Sequence, residues 1–306
     1  MRISSLYNSD AMMAQLGTNG TRISKLMEQM ATQKRINVPS DDPVAATRLV
    51  QLNREQSAIQ QYQSNIKGLS GSLSSQEANV TAMKVLLISL NDKLVSAANS
   101  GTKGDEDMAS YGAELSSMLD SLVASLNAQN ESGGYLFSGT KTDTKPVIWD
   151  EDQGKYVFQG NNGTHETTVA NGVNVTENTN VVVAFSGSGD DLEMLNKLKA
   201  LSDKMQDPAL SVNDYPGDID EMLTLSGQSR DKVAGLLTDL GGRQNRLTML
   251  GDAHTDVSMA NEQVVRDLSD TDWATTSINL QLYTNSVQIT NKAYSMISQL
   301  SLFSML

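Results

Sequence analysis

Residues 45–97 read AATRLVQLNREQSAIQQYQSNIKGLSGSLSSQEANVTAMKVLLISLNDKLVSA, and every seventh position from the first is apolar. These positions are Ala45, Leu52, Ile59, Ile66, Leu73, Val80, Leu87 and Leu94. A companion seam begins polar at Arg48 and Glu55 and becomes apolar toward Met83 and Leu90. A seven-residue repeat sustained this long predicts one α-helix that packs along another helix with a left-handed supercoil.

The segment before this helix is predicted to form an amphipathic helix over residues 8–35. Its seam consists of Met12, Leu16, Ile23, Leu26 and Met30, with the polar Asn19 in the remaining slot. A helix-start motif follows at Ser40, Asp41, Asp42 and Pro43. Asp42 suits the N-cap, and Pro43 suits the first helical position because its missing N–H would be unpaired there anyway.

The chain after the long helix is predicted to turn at residues 99–107 and to form a second helix over 108–126, which makes an antiparallel helical hairpin. The sequence then changes character at Gly133-Gly134. Short β-like runs follow at 135–137, 147–149, 156–158, 173–175 and 181–185. Asn171-Gly172 is a candidate hairpin turn. Helices are predicted to resume over 192–205 and about 219–266.

The C-terminal helix carries two apolar stripes. The first consists of Leu282, Ile289, Ala293, Met296, Leu300 and Phe303, and the second of Leu280, Tyr283, Val287, Tyr294 and Ile297. One partner helix cannot cover both stripes. We therefore expect this helix either to be buried among several helices or to stay exposed until a partner arrives.

Composition excludes several classes of protein. The formal net charge is −13 and the densest basic spot is Lys34-Arg35, so neither nucleic acid nor an anionic membrane is an expected partner. The absence of cysteine excludes disulfides and thiolate metal sites. No apolar run resembles a signal peptide or is long enough for a membrane span, which predicts either a cytoplasmic protein or export without a cleaved signal.

Residues that could carry enzyme chemistry are sparse. The two histidines, His165 and His254, have no metal-spaced neighbour. The acidic runs Asp105-Glu106-Asp107 and Asp190-Asp191 each precede a predicted helix, where carboxylates favour the positive end of the helix dipole. We therefore expect no catalytic residues, no metal and no cofactor.

These patterns predict a mainly α fold: an elongated helical bundle or coiled coil of paired N- and C-terminal helices, with a small β-rich central insertion. Three parts are expected. Residues 1–40 and 267–306 form a terminal helical core, residues 41–134 and 211–266 a long helical bundle, and residues 135–210 a β-rich outer insertion. Ends that pair while the middle loops outward suit a radial arrangement in an assembly.

Several motifs resemble the flagellin superfamily. They are Met1-Arg2-Ile3-Ser4, Gln33-Lys34-Arg35-Ile36-Asn37, Pro39-Ser40-Asp41-Asp42-Pro43-Val44-Ala45-Ala46, Tyr135-Leu136-Phe137-Ser138-Gly139-Thr140, and the tail that runs from Asp270-Thr271-Asp272-Trp273 to Leu300-Ser301-Leu302-Phe303. Pro43 after the acidic pair resembles the hook-filament junction family, since flagellins usually continue with Ala there. Gln33 departs from the pattern, because these proteins usually have Gly before Lys-Arg.

The resemblance implies a structural role in the bacterial flagellum, outside the cell, after export through the flagellar type III pathway. The expected partners are other copies of the chain, the first hook-associated protein, flagellin and a cytoplasmic export chaperone. The expected assembly and chaperone surface consists of Leu16, Ile23, Met30, Leu282, Ile289, Met296, Leu300 and Phe303. Two alternatives stay open: flagellin itself, and a secreted adhesin or enzyme with a helical stalk.

Overall fold

The computed structural model describes residues 2–99, 105–187 and 192–303. Its helices are α1 (Arg2–Thr32), α2 (Pro43–Ala98), α3 (Asp105–Leu126), α4 (Glu193–Gln206), α5 (Pro216–Ser269) and α6 (Trp273–Phe303). Its strands are β1 (Val147–Asp150), β2 (Lys155–Phe158), β3 (Glu166–Ala170) and β4 (Val173–Thr176). Short 3₁₀ turns occupy Val182–Ala184 and Val212–Asp214. The prediction of a mainly α chain with a small β-rich insertion is confirmed.

The seven-residue seam of α2 is buried along its whole length. All eight of its apolar positions, from Ala45 to Leu94, are at most 9% exposed. In the companion seam the polar start at Arg48 and Glu55 is exposed, whereas Met83 and Leu90 are buried. The burial follows the apolar pattern of the sequence because a seven-residue repeat keeps one stripe of a helix against its neighbours.

The chain divides into two compact units. One unit runs from Gln60 to His254 and contains most of α2, α3, α4, the four strands and the first part of α5. Its core joins Leu73, Leu87 and Leu115 on the helices to Phe137 and Phe185 from the insertion. The β-rich insertion is therefore packed into the same apolar core as the helices of this unit.

Two antiparallel hairpins make up the strand region. β3 and β4 join through the predicted Asn171-Gly172 turn, where Gly172 has a φ of 71°. Asn127 and Asn196 flank the other hairpin, β1–β2. Each side-chain amide pairs with the backbone N–H and C=O of one strand residue, Val147 and Tyr156 respectively. These amides satisfy edge groups that would otherwise be open to another strand.

The insertion differs from the prediction in three places. The run 135–137 is not a strand: Tyr135 makes a single bridge to Gln129, and Phe137 is buried. The run 181–185 holds a 3₁₀ turn. Strand β3 was not predicted, because its Thr-rich sequence lacks large apolar residues. A short apolar run does not by itself indicate a strand or a turn, because either conformation can bury the side chains in a common core.

The other unit comprises the residues up to Ile59 and those from Thr255 onward. In it α1 pairs with α6. The buried Asn19 amide donates to Ser286 Oγ at 3.2 Å, and the Arg22 guanidinium donates to Tyr283 Oη at 3.0 Å while lying 5.3 Å from the centre of its ring. The first part of α2 and the last part of α5 also belong to this unit, where Gln56 donates to Ser258 at 2.5 Å.

Candidate assembly surface

One face of α6 exposes a row of large apolar side chains. Ile278 is 64% exposed, Leu282 58%, Ile289 69% and Met296 54%. The opposite stripe, with Leu280, Tyr283 and Val287, is half-buried on the side of α6 that pairs with α1. Within this unit, α1 therefore partly covers the first half of the second stripe, while Tyr294 and Ile297 of that stripe and most of the described first stripe are exposed.

A shallow hollow of about 500 Å³ runs along this open face. Its lining combines three apolar residues with four polar ones: Ile278, Leu282 and Ile289, and Gln281, Asn285, Ser286 and Thr290. Apolar side chains beside polar groups suit another helix that inserts its own side chains between these residues. We call the face formed by Ile278, Leu282, Ile289 and Met296 the open α6 face.

The structure separates the residues predicted for the assembly surface into two groups. Leu16, Ile23 and Met30 of α1 are half-buried, while Leu282, Ile289 and Met296 lie on the open α6 face. Leu300 and Phe303 belong to α6, but their side chains fall outside the described part of the structure. The predicted assembly surface lacks Ile278. This residue lies four positions before Leu282, which places it one helical turn away on the same face.

The helix-start motif forms a corner between α1, α5 and α2. The Asp42 carboxylate accepts from the Ala45 N–H at 3.0 Å, which makes it the N-cap of α2. Arg35 contacts Asp42 at 3.2 Å and donates to the Leu268 carbonyl at 2.9 Å. The Ala45 N–H and the Arg35 guanidinium lower the pKa of Asp42. This carboxylate thus connects the start of α2 to the end of α5.

Asp41 stabilises the same corner from the side of α1. Its carboxylate pairs with Lys25 at 2.8 Å and accepts from the backbone N–H groups of Asn37 and Val38. The hydrogen bond from Lys25, followed by those from Asn37 and Val38, lowers the pKa of Asp41 to about 2. The charged form of Asp41 therefore holds the loop that follows α1.

Gln33 is the one non-glycine residue of the described chain with a positive φ, 60°. It directly follows α1, and its carbonyl accepts from the Thr271 N–H at 3.0 Å. A left-handed residue after a helix is usually Gly. Gln33, which stands where Gly is usual, therefore adopts a backbone conformation that favours Gly.

The described residues contain no group of three His, Cys, Asp or Glu side chains that could hold a metal ion. His254 stacks on Tyr62 and its Nε2 lies 2.8 Å from the Val169 carbonyl oxygen. Glu106 and Asp107 lie in the first turn of α3, whereas Asp190 and Asp191 fall outside the described residues. Among the described helices, none is long and apolar enough to cross a membrane.

Comparisons with known proteins match both the sequence and the fold. A profile of the bacterial flagellin N-terminal helical region matches residues 3–142. Flagellar hook-associated protein 3 of Escherichia coli K12 is 26% identical over 292 residues, which cover 91% of each chain.

Two solved structures are similar. A Vibrio parahaemolyticus protein assigned to the flagellar hook-associated proteins is 36% identical, with a TM-score of 0.68 over 75% of this chain and 100% of that one. The flagellar junction protein FlgL of Legionella pneumophila is 16% identical, with a TM-score of 0.60 over 73% of this chain and 100% of that one. The second likeness concerns the fold alone.

Proposed function

Because this chain belongs to the flagellar hook-associated protein 3 family, we propose that it is a structural subunit of the bacterial flagellum that joins the hook to the filament by self-assembly. The observation that carries this role is the open α6 face, a row of large apolar side chains on a helix whose other side pairs with α1. A subunit that assembles through its terminal helices needs such a face.

The energetics favour cooperative assembly. Burying a large apolar side chain contributes about 1.5–3 kcal/mol. Association of two molecules costs about 4–15 kcal/mol in lost freedom of motion. Full burial of the four residues of the open α6 face would contribute about 6–12 kcal/mol, which is comparable to this cost, so several such contacts per subunit make a layer more stable than a single pair.

The proposed arrangement is radial. Residues 1–40 and 267–306 form the inner tube, residues 41–134 and 211–266 lie outside it, and residues 135–210 face outward. In this arrangement one layer of copies contacts the first hook-associated protein on one side and flagellin on the other. Before export through the flagellar type III pathway, a cytoplasmic chaperone covers the open α6 face, because an amphipathic helix suits a groove with pockets for apolar anchors.

Flagellin itself is the nearest alternative role. A bulk filament subunit would also carry terminal helices with apolar faces. Deletion of the gene separates the two roles: a junction subunit leaves the hook intact and flagellin shed into the medium, whereas loss of a filament subunit leaves no flagellin to shed. The alternative of an adhesin or enzyme with a helical stalk would place its activity in residues 135–190, and it predicts that deletion of the gene leaves the filament attached to the hook.

The double substitution Ile289→Asp with Met296→Asp tests the open α6 face. Both side chains are more than half exposed, so we expect the melting temperature of the monomer to change little. Attachment of the filament should fail, because two unpaired charges would be buried at a helix-packing surface. The measurements are a melting curve, a motility assay and the amount of flagellin in the medium.

A matched control places the same charges elsewhere on α6. Gln288 and Asn291 are also exposed, and neither lines the hollow of the open face. Gln288→Asp with Asn291→Asp should leave motility near normal. If the Ile289/Met296 variant melts normally and still swims, α6 does not carry the assembly contact; if it unfolds, the stripe is part of the monomer core.

A further inference from the structure

A polar cleft lies within the Gln60–His254 unit, away from the open α6 face. It consists of two adjoining hollows of about 640 and 280 Å³ between α2 and the loop that follows α3. Both hollows are lined by Ser72, Asn130, Leu136 and Glu177. The assembly role proposed above makes no use of this cleft.

Gln76 lines the smaller hollow and is 2% exposed. Its Nε2 donates to the Glu177 backbone carbonyl at 2.7 Å. Because a carbonyl can only accept, this bond sets which way round the Gln76 amide lies. The other atom of that amide, Oε1, has no hydrogen-bond partner. A buried acceptor without a donor is rare in folded proteins and indicates a missing polar partner.

Carboxylates add to this excess of acceptors. Glu177 is half-buried and lines both hollows, and Glu131 lines the larger one. Within the described ranges, neither carboxylate forms an ion pair. Lys67 also lines the larger hollow. The lining of the cleft thus includes Gln76, whose amide oxygen lacks a donor, and two residues with carboxylates.

The wall of the larger hollow formed by α2 is open. Gly68 and Gly71 line it, and a Cβ added at either position would meet no atom within 4 Å. A ligand in the larger hollow can therefore approach the backbone of α2 closely. Together with the volume of about 640 Å³, this leaves room for more than the charged tip of a side chain.

We propose that this cleft binds a guanidinium group, with Glu177 as its carboxylate partner and Gln76 Oε1 as a second acceptor. A guanidinium carries five N–H donors and no acceptor, and its planar fork can bind two acceptors at once. A metal ion suits the cleft less well, because the described residues hold no cluster of ligands. Gln76 Oε1 has under 1 Å² of exposed surface, so binding requires a small opening of the inner hollow.

The group has two possible sources: a free guanidinium compound, or an arginine of a second copy of this chain. Arg54 and Arg246 are exposed and form no ion pair in the described structure. The guanidinium site itself does not depend on the flagellar role proposed above. A failure of either proposal is therefore distinguishable from a failure of the other.

The test is a titration of the full-length chain with L-argininamide, followed by NMR of side-chain and backbone amides. We expect binding in the millimolar range that shifts the Gln76 side-chain amide and the Glu177 backbone amide. Citrullinamide, the neutral ureido analogue, should bind far more weakly. Glu177→Gln and Gln76→Met should each weaken argininamide binding about tenfold, as the loss of one hydrogen bond to a charged group predicts.

The matched control is Glu151→Gln, which removes an exposed carboxylate that does not line the cleft. It should bind argininamide like the unaltered chain. Glu177→Gln keeps the test valid if Gln76→Met fails to fold, since Glu177 is only half-buried. Equal binding by Glu177→Gln and the unaltered chain, or equal shifts with citrullinamide, would overturn the proposal.

Sedimentation of the full-length chain distinguishes the two sources. If argininamide reduces self-association, and Glu177→Gln reduces it as well, the guanidinium comes from a second copy. Binding of argininamide with no effect on association assigns it to a free compound. Both results support the site. If the Gln76 amide does not shift at the highest argininamide concentration, the proposal is rejected and water is the partner of Oε1.

Discussion

At the scale of single residues, the corner between α1, α2 and α5 shows how local chemistry sets the path of the chain. Gln33 adopts a left-handed backbone, and Asp41 and Asp42 hold the loop that follows through backbone N–H groups and the cations Lys25 and Arg35. None of these side chains belongs to the apolar core. Their contribution is to direct the chain from one helix into the next.

Gln33→Gly should stabilise the chain relative to Gln33→Ala by about 1 kcal/mol, because a Cβ is unfavourable in the left-handed region and Gly has none. The pair of variants is informative since both remove the same side chain. Urea unfolding followed by circular dichroism measures the difference. Equal stability of the two variants would show that the corner relaxes to another backbone conformation.

Asp41 should make stability depend on pH in the acid range. Its folded-state pKa is lowered to about 2 from an ordinary 3.8, so its contribution is fully present above pH 4 and is lost as pH falls toward 2. Asp41→Asn should flatten this part of the stability curve. Denaturant midpoints at several pH values measure the effect, and identical slopes for the two proteins would contradict it.

At the scale of elements, α2 is the best predicted part of the molecule and the one with the most buried side chains. Its eight-position seam was identified from spacing alone and is buried in the structure. The insertion was less predictable. Runs of three to five apolar residues at 135–137 and 181–185 form a bridge and a 3₁₀ turn, because tertiary burial decided their conformation.

Leu73→Asp or Leu87→Asp should destabilise the monomer by at least about 3 kcal/mol, because each places an unpaired charge in a fully buried position. Val85→Asp is the control: it lies on the same helix and is 56% exposed. Thermal melting by circular dichroism compares the three variants. A Leu73→Asp chain that melts like the Val85→Asp chain would show that the seam is not core.

At the scale of the whole molecule, the two compact units differ in how they are held together. The Gln60–His254 unit has a continuous apolar core. In α1 and α6, by contrast, Asn19 and Thr276 are the only buried side chains among those described. A helix pair with so little buried surface opens at lower free energy than a core helix.

Hydrogen exchange should therefore be faster in α1 and α6 than in α2 between Leu69 and Leu94, and limited proteolysis should trim the chain from both terminal helices first. Mass spectrometry of exchanged peptides from the purified monomer measures this directly. A chaperone or a second copy bound to the open α6 face should slow the exchange in α6. Equal protection of all three helices in a proven monomer would contradict the expectation.

Periodicity and capping were readable in the sequence because they are local. The seam of α2, the start of that helix at Pro43 and the two stripes of α6 each follow from spacing within one element. Other features depend on residues far apart in the chain. α6 meets α1 through contacts such as Asn19 to Ser286, and Gln76 lines the polar cleft while it donates to the carbonyl of the distant Glu177. The physical reason is that a repeat specifies which face of a helix is apolar, whereas only packing decides what covers that face.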